Sequence, residues 1–147
     1  NQKMILFKPE IDNRYSEEDV VSHQGTAAPA VMVASAAEIL GIVTDERIVA
    51  IDEAQFFDEG IVEVCSVLAN RGIRVICAGL DMDYLGKPFG PMPQLLAIAD
   101  FITKLHAICV QCGHLANVSY RTSTEEGTVV LGEKNNYEPR CRICAAK

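Results

Sequence analysis

The sequence lacks the features that place a chain in or across a membrane. No apolar run reaches the roughly 18 residues that a spanning helix needs, and no signal-peptide pattern opens the chain. We therefore expect no membrane partner, while the cysteine pattern described below favours a cytoplasmic location. Hydrophobic residues make up 49% and charged residues 22% of the 147 positions, which is typical of a globular chain and not of a disordered one.

The sequence also has little positive charge. Lysine and arginine number 13 against 20 aspartates and glutamates, a net charge of −7. No local basic stripe offsets this excess, and an acidic surface repels a phosphate backbone. We therefore expect no nucleic-acid partner.

Cysteine is present in a pattern that favours a metal site over a disulfide framework. Cys65 and Cys77 stand alone inside apolar runs, whereas "CVQC" and "CRIC" form two C-x2-C pairs whose inner cysteines lie 29 positions apart (141 − 112). This spacing predicts a tetrahedral zinc ribbon, in which four thiolates close the coordination sphere and make the metal structural. The ligands would be Cys109, Cys112, Cys141 and Cys144. Two disulfides or four unrelated thiols are the alternatives.

Apolar segments alternate with helical patterns through the first two thirds of the chain. Strands are predicted at 3–8, 30–33, 47–51 and 73–80. A capping box at Ser35 and Glu38 opens one helix, Asp58 is a candidate N-cap for a second helix that ends at Gly72, and 91–100 predicts a third. The alternation predicts an α/β fold with a parallel sheet covered by helices on both faces.

The character of the sequence changes near residue 106. Residues 101–109 alternate as a strand does, with Phe101 and Leu105 on the apolar face. Beyond Cys109, turn residues and the short β-like runs 116–122 and 128–131 replace the βα rhythm. We therefore predict a first domain over 1–106 and a second over 107–147, while 10–25 is predicted to be a long polar loop.

The stretch "IVAIDEAQFF" (48–57) ends an apolar strand on two carboxylates. This is the Walker B layout, in which Asp52 would hold Mg²⁺ and Glu53 would orient or deprotonate a nucleophile. Strand-end acids also serve as helix caps or surface groups. The partner motif G-x-x-x-x-G-K-[ST] is absent, and "GLDMDYLGKPFG" (79–90) does not replace it, because Pro88 follows Lys87. Either the protein is not a nucleotidase, or its first strand and phosphate loop precede Asn1, as we expect.

Taken together, the motifs resemble the thymidine kinases of the type II, cytosolic kind. The resemblance covers essentially the whole chain and depends on five stretches. These are "FKPEIDNRYSEEDVVSH" (7–23), "IDEAQFFDEGIVEV" (51–64), "NRGIRVICAGLDMDYLGKPFG" (70–90), "PQLLAIADFITKLHAIC" (93–109) and "YEPRCRIC" (137–144).

The resemblance implies a P-loop (RecA-like) α/β core plus a small C-terminal zinc-ribbon lobe whose "lasso" loop closes over the nucleoside. It implies transfer of the γ-phosphoryl group of ATP to the 5′-hydroxyl of thymidine or deoxyuridine, with Mg²⁺ as catalytic and Zn²⁺ as structural metal. A homotetramer and feedback inhibition by dTTP are implied as well.

Residue by residue, the resemblance assigns Glu53 as the catalytic base. The positions that match nucleotide-contacting residues are Asp52, Glu53, Ala54, Gln55 and Arg14. The positions that match the nucleoside pocket and the lasso are Phe56, Leu80, Tyr84, Phe89, Thr128, Val129, Val130, Leu131, Gly132 and Tyr137.

The sequence departs from the family pattern at two positions as well as in the phosphate loop. Leu85 stands where many bacterial relatives carry Arg, and Tyr84 where Phe is usual. Two other functions are compatible with parts of the pattern. A different P-loop ATPase with a zinc ribbon would show nucleic-acid-stimulated hydrolysis, and a non-catalytic zinc-ribbon module would lack the phosphate loop altogether.

Overall fold

The computed structural model describes residues 2–10, 20–21, 27–122 and 137–146. The chain divides into two compact units. The first consists of Asn1–Asp81 with Phe89–Ala99, and the second of Met82–Pro88 with Asp100–Lys147. Within the described ranges, none of the helices has the length and apolar character needed to cross a bilayer.

A four-stranded parallel sheet forms the centre of the first unit. Its strands are β1 (Met4–Pro9), β4 (Val31–Val33), β5 (Ile48–Ile51) and β6 (Arg74–Cys77), in the order β4-β1-β5-β6. The predicted α/β class is confirmed. Strands β2 (Val20–Val21) and β3 (Ala27–Ala28) pair in an antiparallel ladder, so part of the predicted polar loop has β structure.

Three helices belong to the first unit: α1 (Ala36–Ile42), α2 (Ile61–Asn70) and α3 (Met92–Ile98). Helix α1 contacts β4, α2 contacts β6, and α3 packs on α2. The predicted capping box is confirmed, because the Ser35 backbone N–H donates to Glu38 Oε1 at 3.1 Å. The predicted N-cap at Asp58 is wrong, since α2 begins after Gly60. The Asp58 carboxylate instead accepts hydrogen bonds from the N–H of Gly60 (2.9 Å) and from the N–H of Ala36 at the start of α1 (2.8 Å).

The core lies on one face of the sheet. Odd-numbered strand residues point into it, as the pleat requires, and they meet the apolar faces of the helices. Its fully buried members include Phe7, Val33, Val49, Ile51, Ile39, Ile61 and Leu68. Even-numbered residues such as Leu6 and Lys8 are half-buried on the opposite face. Among the described helices, α1, α2 and α3 all belong to the first face, so a helical layer on the second stays an expectation.

Strand β6 is shorter and more exposed than its apolar sequence predicts. It ends at Cys77 instead of residue 80, and Ile76 is 44% exposed. In the described part of the chain, β6 has a neighbouring strand on one side only, β5.

The second unit is built from short antiparallel pairs. β7 (Ala107–Ile108) pairs with β8 (Leu115–Ala116), and β9 (Val118–Arg121) with β10 (Tyr137–Arg140), followed by the short α4 (Arg142–Ala145). The β-like run 116–122 is confirmed, and 128–131 lies outside the described residues.

The predicted strand over 101–109 is mostly wrong. Residues 101–106 have no regular structure, and the supposed apolar face carries Phe101 and Leu105 at 95% and 87% exposure. Alternation indicates a strand only when a neighbouring strand supplies backbone partners, and in the described part of the chain only Ala107 and Ile108 obtain them, from β8.

Candidate active site and metal centre

The two predicted carboxylates lie at the carboxyl end of β5, beside the end of β1. The Asp52 backbone N–H donates to the carbonyl of Phe7 at 2.9 Å, which continues the ladder past the last strand residue. Lys8 Nζ lies 3.5 Å from Asp52 Oδ2. The sequence reasoning missed Lys8, because its proximity to Asp52 follows from the pairing of Phe7 with Ile51, and this register becomes visible only once the strand order is known.

Glu53 has an unusual backbone. Its φ of 52° and ψ of 41° place it in the left-handed region, and it is the only non-glycine residue with positive φ in the described ranges. Such a conformation is uncommon for a residue with a Cβ, costs on the order of 1–3 kcal/mol, and concentrates at functional sites. Its backbone N–H donates to Asp52 Oδ1 at 3.0 Å. This backbone turn brings the second carboxylate out of the strand direction.

The side-chain amide of Gln55 holds the Glu53 carboxylate in place. Its side chain is 3% exposed, and Gln55 is the one polar residue in the buried set that the structure describes. Its Nε2 donates to Glu53 Oε2 at 2.6 Å, and its Oε1 accepts from the backbone N–H of Leu80 at 3.0 Å. Both ends of the amide are therefore engaged, and the amide ties the carboxylate to the segment that follows β6.

The backbone around Gln55 is equally well connected. Ala54 is fully buried, and its N–H donates to the carbonyl of Ala78 at 2.9 Å. The N–H of Ala78 in turn donates to the carbonyl of Ile51 at 2.8 Å. The ends of β5 and β6 are thus joined by backbone hydrogen bonds as well as by the glutamine amide.

Two of the predicted pocket residues in the first unit form an aromatic pair. The rings of Phe56 and Phe89 are 5.3 Å apart at an interplanar angle of 85°, an edge-to-face arrangement. Both are half-buried, whereas Phe57 belongs to the core. Leu80 is half exposed beside Gln55. The pair therefore leaves aromatic surface available to a planar ligand.

In the second unit, Tyr84 and Tyr137 share a contact with Arg121. The Arg121 guanidinium lies 4.6 Å from the centroid of the Tyr84 ring and 5.8 Å from that of Tyr137, within cation–π range. The sequence reasoning missed Arg121. Arg121 lies opposite Tyr137 in the antiparallel pairing of β9 with β10. The two residues are far apart in the sequence, and no sequence pattern predicts this pairing.

The remaining predicted site residues lie outside the described residues. They are Arg14 in the polar loop and the lasso positions Thr128, Val129, Val130, Leu131 and Gly132.

The four cysteines of the two C-x2-C pairs come together in the second unit. Their sulfur atoms all lie within 4.8 Å of one another, and Cys112 Sγ is 3.6 Å from Cys141 Sγ. Zinc bound to four thiolates at about 2.3 Å has its sulfurs about 3.8 Å apart, so the cluster fits that metal. All six cysteines lie in the described ranges, and each has a free thiol there.

Backbone groups prepare the cluster for a cation. Gly113, with a φ of 76°, donates its N–H to the carbonyl of Cys109 at 2.9 Å and closes the first knuckle. The backbone N–H of Cys141 lowers the pKa of Cys109 to about 6, and the backbone N–H of Cys144 lowers the pKa of Cys141. Both effects favour the thiolate, which is the form that binds zinc, whereas a hydrogen bond with the Cys112 side chain raises the pKa of Cys144 to about 12.

Comparison with known proteins supplies an independent finding. The family model described as "Thymidine kinase" matches residues 1–145. A thymidine kinase of Bacteroides thetaiotaomicron is 57% identical over 143 residues, which is 97% of this chain and 72% of the relative. The chain is 55% identical to a thymidine kinase of a Rhodothermus species, over 97% of the chain and 67% of the relative. It is 53% identical to a thymidine kinase of Porphyromonas gingivalis, over 99% and 72%.

Proposed function

The chain belongs to the thymidine kinase family, and from this premise we propose that it transfers the γ-phosphoryl group of ATP to the 5′-hydroxyl of thymidine, giving dTMP. The observation that carries the chemical part of the proposal is the position of Glu53. Its backbone has a left-handed conformation, and its carboxylate accepts a hydrogen bond from the side-chain amide of the buried Gln55. Phosphoryl transfer needs positioning and charge neutralisation more than covalent chemistry, and this arrangement provides the positioning.

Glu53 is the proposed general base. One of its oxygens accepts the Gln55 amide, and the side chain is only partly buried, so the other oxygen can accept the proton of the nucleoside hydroxyl as the P–O bond forms. Because Gln55 is itself tied to Leu80, the base is held in place before substrate arrives. A base that is already in position needs no rearrangement before it accepts the proton, so the activation barrier stays lower than with a misplaced base.

Asp52 is the proposed magnesium-binding residue. Carboxylate oxygens are the donors that Mg²⁺ prefers, and the metal would supply charge neutralisation on the transferred phosphoryl group. Lys8, 3.5 Å from Asp52, partly balances its charge. We propose contacts with the nucleotide for Ala54, Gln55 and Arg14 on the family resemblance. For Ala54 and Gln55 these would have to be supporting contacts, because both residues are buried.

The residues proposed to bind the nucleoside are those of the resemblance. In the first unit the half-buried Phe56–Phe89 pair offers an aromatic surface of the kind a pyrimidine stacks against. For the second unit, nucleoside contacts by Tyr84, by Tyr137 and by 128–132 are proposed from the resemblance alone. The same holds for use of deoxyuridine, inhibition by dTTP, a homotetramer, and a cytoplasmic location.

The four-cysteine cluster is the proposed structural zinc site. All four positions of a tetrahedral ion would be filled by thiolates, so zinc there has no open position for substrate. It would join the β7–β8 hairpin, which carries Cys109, to the start of α4, which carries Cys144.

A single variant tests the proposed base. In the protein as its gene encodes it, Glu53→Gln should lower thymidine phosphorylation about 10²- to 10⁴-fold, while the dissociation constant for thymidine changes little. The amide oxygen of the new side chain can still accept the Gln55 N–H, so the local geometry is retained. Glu59→Gln, an exposed neighbour, is the matched control and should be neutral. Near-normal turnover in Glu53→Gln would show that Glu53 is not the base.

The same assay separates the other functions. A P-loop motor would hydrolyse ATP faster on addition of single-stranded DNA and leave thymidine unphosphorylated. A binding module would bind zinc and show neither activity. Tyr137→Ala should weaken thymidine binding more than ATP binding, with Tyr137→Phe close to the parent, and an equal loss of both affinities would indicate collapse of the zinc-binding unit instead.

A further inference from the structure

Two cysteines outside the zinc cluster face each other in the first unit. Cys65 in α2 and Cys77 at the end of β6 have their sulfur atoms 3.7 Å apart. Cys65 is 6% exposed, whereas Cys77 is an exposed residue. The proposed kinase chemistry uses neither residue. The sequence pattern assigns no role to them either, since each stands alone in an apolar run.

We propose that Cys65 and Cys77 form an oxidisable dithiol site, in which a peroxide converts the two thiols into a disulfide that joins α2 to β6. The proposal does not depend on the kinase activity, since it concerns only the pairing of two thiols.

The two thiols are unequal in a way that suits such a reaction. The hydrogen bond between them lowers the pKa of Cys77. The same hydrogen bond, together with burial, raises the pKa of Cys65. These opposite shifts give Cys77 more thiolate character than Cys65. Because the thiolate is the reactive form, Cys77 is the sulfur that we expect to react with an oxidant first.

The reaction balances with hydrogen peroxide as the oxidant. The Cys77 thiolate attacks one peroxide oxygen, the O–O bond breaks, and the departing hydroxide takes a proton to become water, leaving Cys77 as a sulfenic acid. The Cys65 sulfur then attacks the Cys77 sulfur, the S–O bond breaks, and a second water leaves with the Cys65 proton. Two thiols are oxidised by two electrons, and one peroxide is reduced to two waters.

The position of the pair gives the cross-link a structural consequence. Cys77 pairs in register with Ile51, the last residue of β5, and Ala78 after it bonds both Ile51 and Ala54. A disulfide would therefore anchor the edge strand β6 to α2 next to the turn that carries Glu53. It would also close the loop between α2 and β6, which constrains the unfolded chain.

The test uses the zinc-loaded full chain. The reduced protein is exposed to increasing hydrogen peroxide, quenched, unfolded, alkylated with N-ethylmaleimide, and analysed by peptide mass spectrometry. We expect alkylatable thiols to fall from the six of the sequence to four, with the Cys65 and Cys77 peptides joined and two hydrogens lighter than their sum. Dithiothreitol should restore all six. The thermal midpoint of the oxidised form should be several degrees higher.

Two variants make the assignment specific. In Cys65→Ser, Cys77 has lost its partner, so its sulfenic acid should be trapped by dimedone. In Cys77→Ser, the buried Cys65 should stay alkylatable at the same peroxide dose; this substitution is at an exposed position, so it keeps the test usable if Cys65→Ser does not fold. The proposal is overturned if Cys65 and Cys77 are recovered alkylated after the zinc-cluster cysteines have oxidised, or if Cys77 is over-oxidised without cross-linking.

Discussion

Replacing Gln55 by alanine should destabilise the protein and slow catalysis together. The variant removes an amide that donates to a carboxylate at 2.6 Å and accepts from the Leu80 N–H at 3.0 Å. A hydrogen bond to a charged group contributes about 1.5–3 kcal/mol and a neutral one about 1 kcal/mol. Because Glu53 and Leu80 are only partly buried, water can replace part of what is lost.

We therefore expect a loss of about 2–3 kcal/mol in the free energy of unfolding. For a chain of this size about 3 °C corresponds to each kcal/mol, so the thermal midpoint should fall by roughly 6–9 °C. Turnover should fall by about ten- to a hundredfold, since Glu53 is no longer held in position, with the KM for thymidine changed much less. Differential scanning calorimetry and initial rates measure the two effects.

Gln55→Glu distinguishes positioning from simple destabilisation. Its carboxylate can still accept the Leu80 N–H, but its second oxygen would face the Glu53 carboxylate at hydrogen-bonding distance. Two carboxylates so close cannot both be ionised near neutral pH. The acidic limb of the pH–rate profile should therefore move to higher pH, an effect that a purely structural role would not produce.

Gln94→Ala is the matched control, because Gln94 is exposed on α3 and alanine favours a helix. It should leave turnover and stability within about 0.5 kcal/mol of the parent. If Gln55→Ala and Gln55→Glu both kept the parental turnover and pH profile, the inference that Gln55 positions Glu53 would be refuted, whatever their stability.

Three further predictions follow from the same contacts. Gly90→Ala should lower the free energy of unfolding by about 2–4 kcal/mol, because the new Cβ would lie 2.2 Å from the Gln55 carbonyl oxygen. Gly41→Ala is the control: its Cβ would meet no atom within 4 Å, so it should stabilise the protein by about 0.5 kcal/mol. Equal effects of the two variants in calorimetry would contradict the close approach at Gly90. Asp58→Ala should cost about 1–2 kcal/mol because the backbone N–H groups of Ala36 and Gly60 lose the carboxylate that accepts from them, and an unchanged urea midpoint would argue against this bridge. Cys144→Ser should lower bound zinc from about one per chain towards zero by elemental analysis, and full retention would exclude the four-thiolate site.

The parts of the fold that the sequence predicts are those set by local pattern. The capping box at Ser35 needs only residues three apart, and the sheet strands β1, β4 and β5 need only short apolar runs. The four-cysteine cluster is similar, because each C-x2-C knuckle is local and two such knuckles are the usual ligands of one metal ion.

The parts that the sequence does not predict depend on neighbours distant along the chain. Lys8 meets Asp52 only through the β1–β5 register, and Arg121 meets Tyr137 only through the β9–β10 register. Asp58 has the composition of an N-cap, yet its carboxylate serves α1, which precedes it by 22 residues. Phe101 has the periodicity of a strand but no partner strand in the described residues to give it a buried face.

The glycines of "AGLDMDYLGKPFG" show how tertiary contacts decide what a motif is for. Read as a phosphate loop, the stretch has the wrong spacing and places Pro88 after Lys87. In the fold, a Cβ on Gly79 would lie 2.6 Å from Gln55 Oε1, and one on Gly90 2.2 Å from the Gln55 carbonyl oxygen. These two glycines therefore admit the glutamine that holds Glu53. A search for glycines by phosphate-loop spacing cannot find them, because they approach the side-chain amide and the backbone carbonyl of a buried glutamine and not a phosphate.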